Sequence, residues 1–381
     1  MGMAVPAHTA VGTWSGGRFM HFGEPIDDER MAALLHPGGV STLLTADAYG
    51  AGEADALLGR ALQGVPRDDY ALVGAIGHDF YEGERDGPRG FPRFTDARLR
   101  GPEGYGDYVR MATERSLERC GADAFDVLLL HNPDRSGFER PEVWEALREL
   151  RDDGLAGALG LAPGPANGFT LDVIGCLERY GELIDWAMLI LNPLEPWPGE
   201  LALGACARYD VKVITRVVDY GGLFWDDVLP GHEFAQHDHR RFRPDGWVEA
   251  GRDKLERMRP IAERHELTPL QLACQWNLAH PVVQCVAPTL IQEAGPDARP
   301  IEDKRAELEA LPAELRLSAE EVESIRELGD NTGSMLLKGA SPDHDEEAAD
   351  RWPLGSDQTE LARRFGIDPE RDLRRSTPAA A

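Results

Sequence analysis

A phenol, an imidazole and a guanidinium stand at the carboxyl ends of three short apolar runs: Tyr49 after Val40–Thr45, His131 closing Phe125–His131, and Arg216 within Val211–Val217. Brought together, they form an acid/base and anion-stabilising group suited to elimination, isomerisation or hydration of a polyol. A phenol ionises near pKa 10, so it is a weak donor to an alkoxide forming at neutral pH unless its surroundings tune it. Each residue also has a plain structural reading. A strand-end tyrosine can bury its ring and satisfy its hydroxyl locally. An inward guanidinium needs a partner, either a structural carboxylate such as Asp219 or a substrate anion.

Other chemistry-bearing clusters are weaker. His232, His237 and His239 offer an i, i+2 pair on an extended loop, but no carboxylate or cysteine set accompanies them, so a solvated polar loop is expected and no metal. The five cysteines (Cys120, Cys176, Cys206, Cys274, Cys285) are widely spaced without a C-x-x-C pair and read as reduced, buried hydrophobes. Arg85, Arg89, Arg93, Arg98 and Arg100 concentrate positive charge in one Gly/Pro-rich loop, either steering an anionic substrate or pairing with the acidic body. The net charge of −27 repels a phosphate backbone or an anionic membrane, which argues against nucleic-acid and membrane partners. No apolar run of about 18 residues and no secretory pattern occur, so a soluble, cytoplasmic protein is expected.

The elements that must position these groups alternate. Strand candidates are Ala10–Thr13, Val40–Thr45, Ala71–Ile76, Phe125–His131, Ala156–Leu161, Trp186–Leu191, Val211–Val217 and Val283–Pro288. Between them run stretches with helical spacing: Ala54–Leu62, Tyr108–Cys120, Pro141–Asp152, Thr170–Tyr180, Glu200–Ala207 and Pro269–Leu278. Eight strand–helix units suit a closed α/β barrel, whose active sites lie at the carboxyl ends of the strands. An open doubly wound sheet announces a dinucleotide site with G-x-G-x-x-G after its first strand, and that pattern is missing. Two insertions, Gly77 to Gly106 and Asp219 to Trp247, follow strand ends on the active-site side. The barrel is expected over residues 1–340 and an acidic C-terminal extension over 341–381, with one helix near Thr359–Phe365.

The run Thr45-Ala46-Asp47-Ala48-Tyr49-Gly50, with Glu53 and Leu58-Gly59, resembles the second-strand signature of the aldo/keto reductases. Gly12-Thr13-Trp14, Asp126-Val127-Leu128-Leu129-Leu130-His131-Asn132-Pro133-Asp134, Gly221-Gly222-Leu223 and Leu267-Thr268-Pro269 match the family in order across residues 10–330. The resemblance implies a (β/α)8 TIM barrel with long loops and hydride transfer between NAD or NADP and a small, sugar-like carbonyl or alcohol. It implies Tyr49 as the acid and His131 as the group orienting the carbonyl. It further places Arg216, Gly222, Arg299, Lys304 and Arg305 toward the cofactor, and Trp14, Asp47, His78 and Trp225 in the substrate pocket.

Several positions depart from the family pattern. The tuning aspartate and lysine fall on Leu44 and Ile76, with Asp47 and His78 as candidate stand-ins. Removing both is consistent, because either charge alone in an apolar mouth would be costly. Positions that hold the nicotinamide read Ala162, Pro163, Met188 and Arg216, and the phosphate-binding segment after the eighth strand reads Ala287-Pro288-Thr289-Leu290-Ile291-Gln292. Three readings follow: an NAD(P)(H)-dependent oxidoreductase first, then a cofactor-free lyase or isomerase using Tyr49 and His131, then a catalytically silent binding subunit. A small-molecule substrate suits the first two, and a homo-oligomer is compatible with all three.

Overall fold

The computed structural model describes residues 4–87, 90–164, 169–295, 298–333 and 354–373. Eight parallel strands follow one another in chain order: β1 (Ala10–Gly12), β2 (Thr42–Leu44), β3 (Ala71–Ile76), β4 (Phe125–His131), β5 (Ala156–Ala162), β6 (Trp186–Ile190), β7 (Lys212–Arg216) and β8 (Val283–Ala287). The sheet returns on itself through a parallel bridge between Thr9 and Val286, where the Val286 N–H donates to His8 O at 2.9 Å. This is the (β/α)8 barrel expected from the strand–helix rhythm.

Around it lie α1 (Asp28–Leu35), α2 (Glu53–Ala61), α3 (Tyr105–Cys120), α4 (Arg135–Glu139), α5 (Pro141–Asp152), α6 (Thr170–Tyr180), α7 (Leu203–Arg208), α8 (Trp247–Arg264), α9 (Pro269–Leu278), α10 (Ile301–Glu309), α11 (Ala319–Gly329) and α12 (Ser356–Arg364). Local signals set several starts. Thr268 accepts from the Gln271 N–H while Gln271 Oε1 accepts from the Thr268 N–H, a reciprocal cap followed by Pro269 in the first turn of α9. Ser318 and Glu321 do the same for α11. Helices α1, α4, α8, α10 and α11 are additions to the sequence reading; α8 begins where the second insertion ends.

Two apolar layers share the strands. Ala10, Leu44, Val73, Ala75, Val127, Leu129, Met188, Ile214, Cys285 and Ala287 fill the barrel. Their strand neighbours Val11, Leu43, Leu72, Ile76, Leu128, Leu130, Leu189, Val213 and Val286 pack outward against the helices. Strands buried on both faces therefore read as nearly continuous apolar runs. The alternation also fixes the site: residues in step with Val127 and Leu129, or with Ile214, face inward, and His131 and Arg216 are the last of those two series.

The chain after Ser341 is described from Leu354 onward, and it packs against the outside of the barrel. Leu361 lies over Gly175 of α6, Arg364 pairs with Glu178 at 2.8 Å, and Trp197 Nε1 donates to Asp372 O at 2.5 Å. The helix expected near Thr359–Phe365 is α12. All five cysteines are buried and free, and among the described residues no helix is long and apolar enough to cross a membrane.

Candidate active site

Tyr49 leaves β2 in a tight turn whose backbone is left-handed at Gly50 (φ 59°), Ala51 (φ 51°) and Gly52 (φ 94°). Glycine adopts this at little cost, whereas Ala51 is strained there. The turn carries the phenol over the barrel mouth, edge-on to His131 with ring centroids 5.7 Å apart and planes at 88°. His78, in the loop after β3, stands with its ring centroid 5.2 Å from that of His131. Gly77 makes this approach possible, because a Cβ there would collide with the His131 carbonyl oxygen.

The electrostatics of this trio favour neutral forms. Burial raises the Tyr49 phenol above 10, opposed by the Arg216 guanidinium. Burial holds the His131 imidazole well below 6.5, with His78, Arg93 and Arg216 adding to the effect. His78 is pushed down to about 3 by burial and by Arg93. His78 Nδ1 lies 2.9 Å from Phe91 O and 3.0 Å from Arg93 Nη1, and its Nε2 lies 3.0 Å from Asn132 Nδ2. The Nδ1 atom of His131 is buried without a hydrogen-bond partner.

Arg216 reaches across from β7. Its Nη2 donates to Pro163 O at 2.9 Å and Gly164 O at 2.8 Å, both just past β5. Its Nε is buried and unpartnered. Asp219, the structural partner weighed for it, is engaged elsewhere: its carboxylate accepts from the Thr289 N–H at 2.7 Å and the Gly222 N–H at 3.0 Å. Trp14, Met20 and Tyr49 complete the apolar lining of the mouth.

Other expected site residues lie elsewhere. Asp47 is buried, with both carboxylate oxygens unpartnered, but it alternates away from Ala46 and its charged neighbours are Asp55, Arg119 and Asp79. It faces the α2–α3 side, so it cannot stand in for the family's acid at the mouth. Ile76 belongs to the outer layer and the inward residue of β3 at that level is Ala75, so the expected lysine position shifts by one and remains apolar. Leu44 does face inward. Trp225 is sealed in the outer core with Nε1 donating to Thr289 O at 2.8 Å, which removes it from the substrate pocket.

The cations assigned to the cofactor are also committed internally. Lys304 is fully buried, 2.6 Å from Asp227 and 2.6 Å from Ile291 O. Arg299 binds Glu307 at 2.5 Å and Trp225 O at 2.9 Å. Arg305 pairs with Glu309 and with the Leu34 and His36 carbonyls beside α1.

The insertion after β7 is a strap rather than a solvated loop. Arg240, only 1% exposed, binds Asp238 at 2.6 Å and Glu293 at 2.5 Å, and donates to Gly221 O. Despite its burial, Glu293 is held down at about 2 by His232 and Arg240. Asp238 also accepts from the Gly23 N–H, tying the strap to the loop after β1. Sequence reasoning missed this network, because Arg240 and Glu293 are 53 residues apart and nothing local marks them as partners. In the earlier insertion Arg100 binds Asp79 at 2.5 Å, Arg98 binds Asp96 at 2.5 Å and Arg93 donates to Asn132 O, so pairing dominates there; Arg89 lies outside the described residues. Among the described residues no cluster of three or more His, Cys, Asp or Glu could hold a metal.

A model of the aldo/keto reductase family matches residues 10–330. D-threo-aldose 1-dehydrogenase from a Pseudomonas species is 26% identical over 307 residues, covering 75% of this chain and 85% of that one. The glycerol dehydrogenase of Gluconobacter oxydans superposes with a TM-score of 0.64 at 20% identity, over 86% of this chain and 93% of its own. An aldo/keto reductase from Klebsiella pneumoniae, solved with NADP and acetate, gives a TM-score of 0.58 at 21% identity over 88% and 95%. The structural likenesses establish the fold, and the family match runs from β1 through α11: the chain belongs to the aldo/keto reductase family.

Proposed function

We propose that the barrel mouth interconverts a carbonyl and an alcohol on a small, sugar-like substrate, with Tyr49 moving the proton at the reacting oxygen. The carrying observation is the edge-on approach of Tyr49 to His131 at the carboxyl end of the barrel. A neutral phenol is the donor needed when an alkoxide develops, and a neutral imidazole beside it orients the oxygen without adding charge. The aldose and glycerol dehydrogenases among the relatives support a polyhydroxylated substrate.

Family members are generally NAD(P)-dependent, and a bound nicotinamide would supply the hydride. The phosphate side of the mouth fits such a cofactor poorly. The Gly222 and Thr289 amides are capped by Asp219, Lys304 by Asp227, and Arg240 by Asp238 and Glu293. Carboxylates of the chain therefore already bind these donors, among them Gly222 and Lys304, which the resemblance assigns to the cofactor. That observation favours a second reading, cofactor-free isomerisation or elimination, in which Tyr49 and His131 exchange a proton with the substrate unaided.

The test is to incubate the protein with aldoses, ketoses, polyols and sugar acids, with and without NADH or NADPH, following reduced-cofactor absorbance and products by NMR. Turnover requiring cofactor supports the reductase, and turnover without it supports the second reading. In either case Tyr49→Phe lowers kcat by at least about 100-fold. Turnover indifferent to that substitution, or none on any substrate, defeats both.

A further inference from the structure

Arg216, partly buried at the barrel mouth of this strongly acidic chain, has neither a carboxylate ion pair nor an aromatic face among its described partners. Arg240 has Asp238 and Glu293, Lys304 has Asp227 and Arg100 has Asp79, whereas Arg243, with no carboxylate ion pair among the described residues, lies over the Tyr220 and Trp247 rings. Among the described residues no carboxylate forms an ion pair with Arg216, although the sequence carries 67 acidic residues against 40 basic ones. Its protein partners are the carbonyls of Pro163 and Gly164, both on Nη2. Neutral carbonyls orient a guanidinium without neutralising it. A guanidinium drawn partly out of water without a counter-ion is costly, and a ligand anion would complete the pair.

The placement says where that ligand sits. Register sets Arg216 beside Ile190 and Ala287 at the carboxyl ends of β6 and β8. The two carbonyls hold one end of the guanidinium plane and leave Nε without a partner. Its carbonyl partners directly follow Ala162, which pairs in register with His131, and its charge acts on both His131 and Tyr49. Tyr49 cannot serve as the missing anion, since burial keeps its phenol protonated at neutral pH. The remaining lining, Trp14, Met20, Met188 and Ala162, is apolar. A guanidinium fork matches the two oxygens of a carboxylate, and the apolar lining beside it suits a carbon skeleton.

We propose that Arg216 binds the carboxylate of a small hydroxy- or oxo-carboxylic acid, a sugar acid in the simplest case, and presents its reacting oxygen to Tyr49 and His131. This deepens the proposed function by naming its substrate class and relies on it only for the location of the substrate.

The test is calorimetric titration with D-glucuronate and D-gluconate against their neutral counterparts D-glucose and D-glucitol. The wild type is expected to bind the acids at least tenfold more tightly than the neutral sugars, the usual scale of a charge-assisted hydrogen bond. Arg216→Gln should level the two classes, and Arg216→Lys should keep part of the preference. Thermal melts identify a variant that fails to fold, and the wild-type comparison decides without any variant. Equal binding of acids and neutral sugars by the wild type overturns the proposal, as does an undiminished preference in a folded Arg216→Gln protein. So does Arg216-dependent binding of NADPH or inorganic phosphate that excludes the acids. Acid preference without turnover would defeat the catalytic reading alone; Tyr49-dependent turnover of neutral sugars without acid preference would defeat this one alone.

Discussion

At the scale of single residues, the protein keeps ionisable groups in its interior in two ways. Some are paired so tightly that they stay charged, as Glu293 does at about 2 against Arg240 and His232. Others are pushed to neutrality, and Glu195 is the clearest: both its oxygens are buried without hydrogen bonds, and burial lifts it from 4.5 to about 8. The charged and titratable groups facing it are Arg243, which opposes the shift, and Tyr220. A carboxyl with a raised folded-state pKa contributes stability that is complete below its unfolded value and lost as pH climbs through about 8. Glu195→Gln is therefore expected to leave the melting temperature almost unchanged near pH 4.5 and to raise it by at least about 3 °C at pH 9. Differential scanning calorimetry across that range checks the sign; a variant less stable at pH 9 than the wild type would show that Glu195 is held as a carboxylate.

At the scale of elements, the strap after β7 is secured by charge more than by apolar area. Its bridge to the loops after β1 and β8 runs through Arg240, whose removal leaves Asp238 and Glu293 buried side by side. Breaking a buried network from one side is costlier than the network's net worth, because the orphaned charges cannot be rehydrated. Arg240→Leu should lower unfolding free energy by about 3–5 kcal/mol in urea titrations, and residues 227–243 should become the first site of limited proteolysis. A variant of wild-type stability would mean that the strap rests on Trp225 and Phe224 packing instead. Gly77 shows the complementary device, a missing side chain that lets the loop after β3 lie against the His131 carbonyl.

At the scale of the whole molecule, the C-terminal segment acts as an outer brace. Leu361, Ala362, Ile367 and Leu373 are buried against the barrel's helices, and the last turn reaches Trp197 in the loop after β6. Arg208 covers Phe365 from α7, with its guanidinium 5.3 Å from the ring centroid. Ending the chain at Gly333 removes three large apolar side chains, each contributing about 1.5–3 kcal/mol when fully buried. The shortened protein should melt several degrees lower and show red-shifted tryptophan emission as Trp197 meets solvent. An unchanged melt and spectrum would show that the segment merely rests on the surface.

Periodicity and turn chemistry act between near neighbours, so sequence alone set the eight-strand rhythm and the helices α2, α3, α5, α6, α7 and α9, while the family resemblance supplied the pairing of Tyr49 with His131. The family motifs added the identities of those two groups. Tertiary structure alone decided which way alternate residues point at a strand end, turning Ala75 inward and Ile76 outward. It alone chose partners for the charges, giving Asp219 to the Gly222 and Thr289 amides, Glu293 to Arg240, and no carboxylate among the described residues to Arg216. Those choices depend on where distant loops cross over the barrel mouth, and Coulomb attraction between groups dozens of residues apart leaves no local pattern to read.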